Sequence, residues 1–414
     1  MKRTSHSSTS GRLKATPGLT VNNMRKRSVK EQFFCVAYFL PALLLRALNF
    51  RVPDFFITRI GHLLLEPDCL IKEERLGLVP KRNYIMLASS RRVANRAVLR
   101  YWKRYFWVIS SPVLVKLMRP LMTHPLTKLE VADYAATSDS SAGFARIQAL
   151  WSKRDALLSL DPVDKQRGDR ALRELGVPEG AWFVCVHSRE GGYSTYDEHN
   201  HNFRNSNIED YALAVQHIVS MGGWCIRIGD PSMRRAPAMR GLIDYAHHPL
   251  RSDWLDLYLG AKARFFLGNT SGALSLSTIF GIPVACANMV PLAAVFPFGE
   301  RDIGIPKLYS RGSPGELIPF AEILSTSIAD IRHAKDFKDA GIELIDNSPE
   351  DIRDLAMEQY ENTAGFPMHS PYAEDDEALQ KAFKSLFRPG HYTYGSSSRV
   401  GRSFLKRYQH LLPR

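Results

Sequence analysis

WFVCVHSREGG at residues 182–192 and RFFLGNTSG at residues 264–272 share one pattern, in which a short apolar run ends in small and polar residues. Short apolar runs that stop at such a turn are typical of buried β-strands. In an open α/β sheet, ligands bind in the crevice beyond the carboxyl ends of the strands. We therefore expect the two polar turns to line one binding site.

Further strands and helices alternate around these two runs. This alternation predicts parallel strands joined by right-handed crossovers, with the helices covering the sheet. The predicted strands are 183–187, 224–228, 242–245, 265–268 and 283–286, and the predicted helices are 208–221, 253–261 and 272–280.

A first α/β unit precedes this one, and the turn cluster at 177–180 marks the boundary between them. A buried strand at 83–88, a helix at 95–106 and a short strand at 108–110 indicate the first unit. The predicted division is a disordered basic tail at 1–30, an apolar helix at 31–52, an N-terminal α/β domain at 53–177, a C-terminal α/β ligand-binding domain at 178–370, and a helix with a basic tail at 371–414.

Charge is concentrated at the two ends of the 414-residue chain, whose formal net charge is +13. Residues 1–30 contain eight Lys or Arg and no Asp or Glu, and the segment from Arg388 onward is also free of acidic residues. Such segments bind anionic lipid or nucleic acid, or stay solvated without a partner. The five cysteines form no CxxC pair, which predicts free thiols in a reducing compartment rather than a zinc site or disulfides.

A strongly apolar run, FFCVAYFLPALLLRALNF, occupies residues 33–50. Pro41 and Arg46 interrupt it, so it falls short of the ~20 apolar residues of a membrane-spanning helix. Two readings stay open: an interfacial anchor behind the basic tail, or a helix packed on the protein itself.

Arg189 follows the first buried strand by two residues and is a candidate for binding a diphosphate through charge-assisted hydrogen bonds. The alternative is a surface ion pair with Glu190 or Glu198. The turn Asn269-Thr270-Ser271-Gly272 precedes a predicted helix, and Ser275 adds a hydroxyl one turn later. Backbone N–H groups and hydroxyls there suit an anion, although an ordinary helix cap explains the same residues.

A third strand-end turn contains Asp230, which can accept from a base or a ribose, or can simply close its own turn. Arg227, on the preceding strand, can support a phosphate or form an ion pair. The long polar loop at 188–207 predicts an acceptor-binding or lid segment. Its candidate residues are Asp197, His199, Arg204 and Asn205.

Several common site patterns are absent from the sequence. It contains no GxGxxG, Walker A or GxSxG motif and no His/Glu pair at zinc spacing, which disfavours NAD, FAD, P-loop and zinc chemistry. His187 and Glu190 lie in the right region for acid–base work, but the identity of a general base depends on geometry.

The segments HSREGGY at 187–193, RIGDPSM at 227–233 and FLGNTSGALSLSTIFGIPVA at 266–285 resemble a bacterial glycosyltransferase family encoded among surface-polysaccharide genes. The resemblance extends more weakly to RIGH at 59–62, VANR at 93–96 and IPKLY at 305–309.

More distantly, His187-x-Arg189 and the Thr270, Ser271 and Ser275 hydroxyls are similar to the donor site of fucosyltransferase-like GT-B enzymes. That similarity implies an Arg on the diphosphate of GDP-fucose and hydroxyls on its phosphates. In the fucosyltransferases, the Arg that resembles Arg189 is followed by a second Arg and then by an acidic residue. This sequence has Glu190-Gly191-Gly192 instead. The difference leaves the identity of the sugar open.

The resemblance implies a GT-B-like α/β architecture, with two Rossmann-like domains facing across a cleft. It implies transfer of a sugar from a nucleotide-diphosphate donor, with a GDP-sugar favoured, to a glycan or lipid-linked acceptor in surface polysaccharide synthesis. Arg189, His187 and Glu190 are the expected catalytic residues, and Arg189 with Arg227, Asp230, Asn269, Thr270, Ser271, Gly272 and Ser275 the expected donor site.

With an Arg and backbone N–H groups on the leaving diphosphate, neither a metal nor another cofactor is required. The expected location is the cytoplasm, at the inner face of the membrane, with an anionic membrane surface as a candidate partner and nucleic acid disfavoured. The alternatives are a nucleotide-sugar epimerase or other sugar-modifying transferase on the same frame, or a non-catalytic glycan- or nucleic-acid-binding protein.

Overall fold

The computed structural model describes residues 29–129, 142–151, 153–192, 195–293, 299–312, 315–364 and 374–413. The predicted disordered tail at 1–30 lies almost entirely outside these ranges.

The first unit is built on a four-stranded sheet in the order β3-β2-β1-β4, with every neighbouring pair parallel. Its strands are β1 (Phe50–Pro53), β2 (Asn83–Leu87), β3 (Trp107–Ile109) and β4 (Lys128–Leu129). Strand β1 crosses the predicted domain boundary at residue 52, because the end of the apolar run at 33–50 enters this sheet.

The second unit is built on a seven-stranded parallel sheet in the order β14-β10-β9-β8-β5-β6-β7. Its strands are β5 (Phe183–His187), β6 (Trp224–Arg227), β7 (Leu242–Ile243), β8 (Phe266–Asn269), β9 (Val284–Met289), β10 (Ile303–Pro306) and β14 (Arg399–Val400). The first six follow the doubly wound order, which reverses direction between β5 and β8. The predicted α/β class with two Rossmann-like units is confirmed.

A small antiparallel sheet extends the second unit and consists of β11 (Leu308–Arg311), β12 (Glu316–Leu317) and β13 (Ile342–Ile345). The helices of the chain are α1 (Val29–Ala37), α2 (Phe39–Ala47), α3 (Ile60–Arg75), α4 (Val98–Trp102), α5 (Pro112–Met118), α6 (Pro120–Thr123), α7 (Ala142–Trp151), α8 (Pro162–Glu174), α9 (Thr195–His201), α10 (Ala212–Ser220), α11 (Asp253–Lys262), α12 (Ser275–Thr278), α13 (Phe320–Ser325), α14 (Ala334–Asp339), α15 (Pro349–Thr363), α16 (Glu374–Ser385) and α17 (Arg402–Arg407).

One hydrophobic core runs through both units. It joins Leu63 of α3 and Tyr84 of β2 to Cys185 of β5 and Leu255 of α11. Helix α8, predicted to belong to the first unit, packs on α11: a Cβ on Gly168 would collide with the Tyr258 ring. The two units are therefore joined by direct packing of their helices as well as by the chain that connects them.

Backbone touches backbone where the two units meet. An ideal Cβ on Gly61, in the first turn of α3, would lie 3.0 Å from the Cα of Gly272, and one on Gly272 would lie 2.9 Å from the Gly61 nitrogen. A Cβ at either position would force the facing backbone to shift, so glycine permits this close approach.

Three predictions about local structure need correction. The helix predicted at 272–280 is a 3₁₀ turn at 272–274 followed by the single turn α12. The loop predicted at 188–207 contains α9. Residues 371–414, predicted as a helix with a basic tail, contain α16, but the part after it contributes β14 to the sheet edge, and α17 buries Phe404 and Leu405.

Helices α1 and α2 replace the single apolar helix predicted at 31–52. Among the described residues, no helix has both the length and the apolar character needed to cross a bilayer.

Candidate active site

A cavity of about 450 Å³ lies between the two units. Its floor is formed by the turns that follow β5, β6 and β8, and its opposite wall by α3 and the turn around Asn95. The cavity thus occupies the crevice at the reversal of strand order, where doubly wound sheets bind ligands. The two polar turns line this one cavity, as predicted, and its role as a binding site stays a prediction.

The turn after β8 supplies small polar groups to the cavity. Thr270, Ser271, Gly272 and Ser275 all line it. The Ser271 hydroxyl accepts from the Ala273 N–H at 3.2 Å, and the Thr270 hydroxyl accepts from the Val290 N–H at 3.3 Å. The Ser275 hydroxyl is buried with no hydrogen-bond partner among the described residues, so it is available to a ligand.

Arg189 lines the cavity from the turn after β5. Its Nη1 donates to the His201 carbonyl at 3.1 Å and to the Asn205 side-chain oxygen. The alternative of an ion pair with Glu190 or Glu198 stays a prediction.

Asn269, predicted to belong to the donor site, does not line the cavity. It connects the turn after β5 to the segment around Arg204. It is fully buried, its Oδ1 accepts the Arg189 N–H at 2.9 Å, and its Nδ2 donates to the Arg204 carbonyl at 2.8 Å. Lys307 supports the same region, because its buried ammonium donates to the Asn205 carbonyl at 2.8 Å and pairs with Asp346 at 2.6 Å. These contacts hold the backbone that carries Arg189.

Arg227 is fully buried and lies outside the cavity lining, which contradicts its predicted contact with a phosphate. Its guanidinium pairs with Glu190 at 3.1 Å and with Asp244 at 3.0 Å. The second oxygen of Glu190 accepts the Arg234 N–H at 2.9 Å. Removing one partner of a buried ion pair destabilises the fold, so loss of Glu190 would leave the Arg227 guanidinium with Asp244 as its counter-ion and lower stability. Its catalytic role stays a prediction.

His187 presents a hydrogen-bond acceptor to the cavity. Its Nδ1 bonds to the Ile228 carbonyl at 3.0 Å, and because a carbonyl only accepts, that nitrogen carries the proton. Its Nε2 is buried with no partner among the described residues. Burial lowers the pKa of His187 to about 4. The ring is therefore neutral at pH 7 and suits a ligand hydroxyl better than it suits proton abstraction.

Asp256, on α11, is a cavity residue that the sequence reading missed. Its Oδ1 is buried with no hydrogen-bond partner among the described residues. Burial raises the pKa of Asp256 to about 6, against the opposing effects of Arg251 and Tyr245. Together with His187 and Ser275, it leaves three unsatisfied polar atoms around one cavity, which indicates a polar ligand.

Asp256→Asn is expected to stabilise the protein and weaken ligand binding. The pKa of Asp256 is higher in the folded than in the unfolded protein. The protonated carboxyl group therefore contributes stability that is fully present below pH ~4 and is lost as the pH rises through about 6. Urea unfolding should show a gain of about 2 kcal/mol at pH 7.5 and none at pH 4. An equal effect at both pH values would contradict burial of an ionised carboxylate at this position.

His62 and Glu66 form a His–carboxylate pair on α3. The His62 Nδ1 lies 2.8 Å from Glu66 Oε1, and the other oxygen of Glu66 accepts the Phe56 N–H at 3.0 Å. Glu66 is buried, whereas His62 lines the cavity. A carboxylate on Nδ1 fixes the tautomer that leaves a lone pair on Nε2, as in His-based general bases.

Asp230 lines the cavity and closes its own turn, so its contact with a base or a ribose stays a prediction. Its Oδ1 accepts the Ser232 N–H at 2.9 Å, and its Oδ2 lies 3.8 Å from Arg251. Arg251 also lines the cavity and donates from Nε to the Gly229 carbonyl at 2.9 Å.

The predicted acceptor or lid residues separate into different environments. Arg204 lines the cavity, Asn205 holds Arg189, and His199 is exposed and outside the lining. The side chain of Asp197 lies outside the described part of the structure. Glu198, which the sequence reading did not select for this role, does line the cavity.

Within the described ranges, no three His, Cys, Asp or Glu side chains are grouped so as to hold a metal ion. The prediction of a metal-independent reaction stays a prediction.

Comparison with known proteins gives remote similarities only. No protein-family model matches the chain, and no curated protein sequence matches it. A family 9 glycosyltransferase structure from Veillonella parvula aligns at 9% identity and a TM-score of 0.36, covering 57% of this chain and 79% of that one. The ADP-heptose lipopolysaccharide heptosyltransferase II of Escherichia coli aligns at 11% identity and a TM-score of 0.39, covering 63% and 90%.

An iron-containing dodecameric heptosyltransferase, also from Escherichia coli and solved with ADP-D-β-D-heptose, aligns at 16% identity and a TM-score of 0.34, covering 57% of each chain. None of these three structures is described as a fucosyltransferase. At such identities and TM-scores, the similarities assign no activity or substrate to this chain.

Proposed function

We propose that this protein is a glycosyltransferase that moves a sugar from a nucleotide-diphosphate donor to a hydroxyl of a glycan or lipid-linked acceptor. The observation that carries the proposal is the placement of the His62–Glu66 pair beside the polar turn after β8. Gly61 and Gly272 touch through their backbones, so the candidate base and the candidate phosphate site are neighbours in one cavity.

The leaving diphosphate is assigned to the second unit. Arg189 supplies a positive charge, and the turn at 270–275 supplies hydroxyls and N–H groups at the carboxyl end of β8. Positive charge and oriented dipoles that face the developing phosphate charge lower the barrier to departure. The His187 Nε2, the Asp256 carboxylate and the Ser275 hydroxyl then bind hydroxyl groups of the donor.

The acceptor is assigned to the side of the cavity formed by α3. His62 Nε2 takes the proton of the acceptor hydroxyl as its oxygen bonds to the anomeric carbon of the donor sugar. The bond from that carbon to the diphosphate oxygen breaks in the same step, and the electron pair leaves with the diphosphate. Glu66 orients the imidazole and stabilises its protonated form.

The preference for a GDP-sugar rests on the resemblance of His187-x-Arg189 and of the turn hydroxyls to fucosyltransferase-like donor sites. Synthesis of a surface polysaccharide would place the acceptor at the cytoplasmic face of the membrane, with anionic lipid rather than nucleic acid as the partner of the basic segments.

A thermal-unfolding screen with ADP-, GDP- and UDP-sugars tests the donor assignment. A ligand that binds only the folded state stabilises it, by about 2.7 kcal/mol at a concentration 100 times its dissociation constant. We expect one nucleotide class to raise the melting temperature, with the nucleotide sugar and its free diphosphate both active. Mannose and glucose without a nucleotide serve as controls and should produce no shift.

The absence of a shift with every nucleotide would refute the donor site. A nucleotide sugar that binds and is converted to an isomeric nucleotide sugar, without transfer to any acceptor, would replace the glycosyltransferase by the epimerase alternative. Product analysis by mass spectrometry and chromatography separates these outcomes.

A further inference from the structure

The first unit carries an exposed apolar face on the outer side of α2 and α5. Val36, Leu40 and Leu44 lie on it from α1 and α2, and Val113 and Leu117 lie on it from α5. Leu40 and Val113 are each 74% exposed. Trp107, at the start of β3, is 69% exposed and packs edge-on against Phe50, beside the same helices. We call these six residues the apolar face.

The helices that bear the apolar face are fixed to one another. The Tyr38 hydroxyl donates to the Leu117 carbonyl at 2.7 Å, and the His124 Nε2 lies 3.1 Å from the Cys35 carbonyl. The inner sides of α2, α5 and α6 pack together on one side of the first sheet, around Ala42 and Leu121. Their outer sides therefore form one continuous surface rather than separate mobile segments.

The segments that carry this surface have a large excess of positive charge. From Arg75 to Leu129 the sequence contains 12 Lys or Arg and no Asp or Glu, and residues 29–53 contain one acidic residue, Glu31 of α1. Asp54 follows and interacts with Arg119. Residues 1–30 add eight Lys or Arg in sequence. Apolar side chains on such cationic segments match an anionic lipid surface, where burial of apolar groups and electrostatic attraction both favour binding.

We propose that the apolar face docks the first unit on an anionic membrane, with α2 and α5 lying in the plane of the interface. Clustered apolar side chains of this extent are rare on monomeric proteins unless they bind something. An interfacial Trp beside Leu and Val side chains is the composition expected at the boundary between head groups and acyl chains. The proposal is independent of the catalytic assignment, because none of the six residues lines the cavity.

Vesicle flotation of the full chain tests this proposal. The probes are vesicles of phosphatidylcholine alone and of phosphatidylcholine mixed with phosphatidylglycerol. The variant Val113→Glu/Leu117→Glu places charge on α5, which is distant in sequence from the basic tail. Val163→Glu is the matched control, since Val163 is 72% exposed but lies on α8. Circular dichroism and thermal melting confirm that each variant is folded.

We expect wild type and Val163→Glu to float with the anionic vesicles, and the double variant to bind roughly tenfold or more weakly. Raising the salt concentration should weaken the wild-type binding, because the electrostatic part is screened. A blue shift of tryptophan emission on the vesicles should diminish in Trp107→Phe.

Equal flotation of the double variant and the control would overturn the proposal. So would a wild-type dimer in sedimentation that the double variant dissociates, because a second copy of the chain would then cover the apolar face. If Val113→Glu/Leu117→Glu fails to fold, Val113→Ser/Leu117→Ser removes the apolar contacts without adding charge and should show the same loss.

Discussion

Arg189→Ala should reduce sugar transfer by about 10²–10³-fold, because it removes the positive charge assigned to the leaving diphosphate. The effect should appear in kcat as well as in donor affinity, since phosphate charge grows as the bond to the sugar breaks. Steady-state kinetics with the donor found in the nucleotide screen measure both quantities.

Arg189 also bonds to the His201 carbonyl and to the Asn205 side chain. Its removal could therefore lower activity by displacing the segment that contains His201 and Asn205, rather than by removing the charge. Guanidinium ion added at low concentration separates the two explanations. It restores activity if the charge acts on the phosphates, and it restores nothing if only the loop has moved. Arg235→Ala is the control, because Arg235 is exposed and outside the cavity lining. A fully active Arg189→Ala variant would remove this residue from the donor site.

His62→Ala should lower kcat by about 10²–10⁴-fold and leave donor binding intact. The loss follows from the absence of an acceptor for the proton of the attacking hydroxyl. The melting-temperature shift produced by the nucleotide should match that of wild type, since His62 belongs to the side of the cavity assigned to the sugar acceptor. Single-turnover kinetics separate this chemical step from product release.

Glu66→Gln tests the orienting role of the carboxylate. The amide keeps a hydrogen bond to His62 Nδ1 but cannot stabilise an imidazolium, so we expect an intermediate loss and a changed pH–rate profile. His217→Ala, on α10 and outside the cavity lining, should retain wild-type activity. If His62→Ala transfers sugar at the wild-type rate, another residue must be the base.

The strands that form the centre of the second sheet could be predicted from sequence because they are apolar on both faces. Strand β5 has the predicted limits, and β8 is shifted by one residue. Strand β7 lies within the strand predicted at 242–245 but is only two residues long, and the two-residue strands β4 and β14 leave too short a pattern to recognise alone. All three short strands exist because longer neighbours offer them backbone hydrogen bonds.

Helix α3 was harder to predict, because buried charges break its apolar pattern. It contains Pro67 and pairs Lys72 with Asp68 at 2.6 Å inside the core. Hydrophobic periodicity assigns such polar residues to an exposed face, so the pattern does not predict a continuous helix here. The same difficulty hides Glu66, whose role depends on its contact with the cavity residue His62.

Within the site, the residues found from sequence were those in turns directly after strands, such as Arg189 and Thr270. The residues that were missed come from helix faces that only the tertiary fold brings to the cavity. Asp256 left one visible signal, an acidic residue inside the apolar segment WLDLYL of α11. The burial of Arg227 had no such signal, since its compensating carboxylates come from two different turns.

The backbone contact between Gly61 and Gly272 fixes the separation of the two units at one point. No side chain stands between the two main chains there, so no change of rotamer can alter the distance between the first turn of α3 and the turn after β8. The spacing between a base on α3 and a leaving group on that turn is then set by the main chain, and the hydrophobic core that runs through both units holds it.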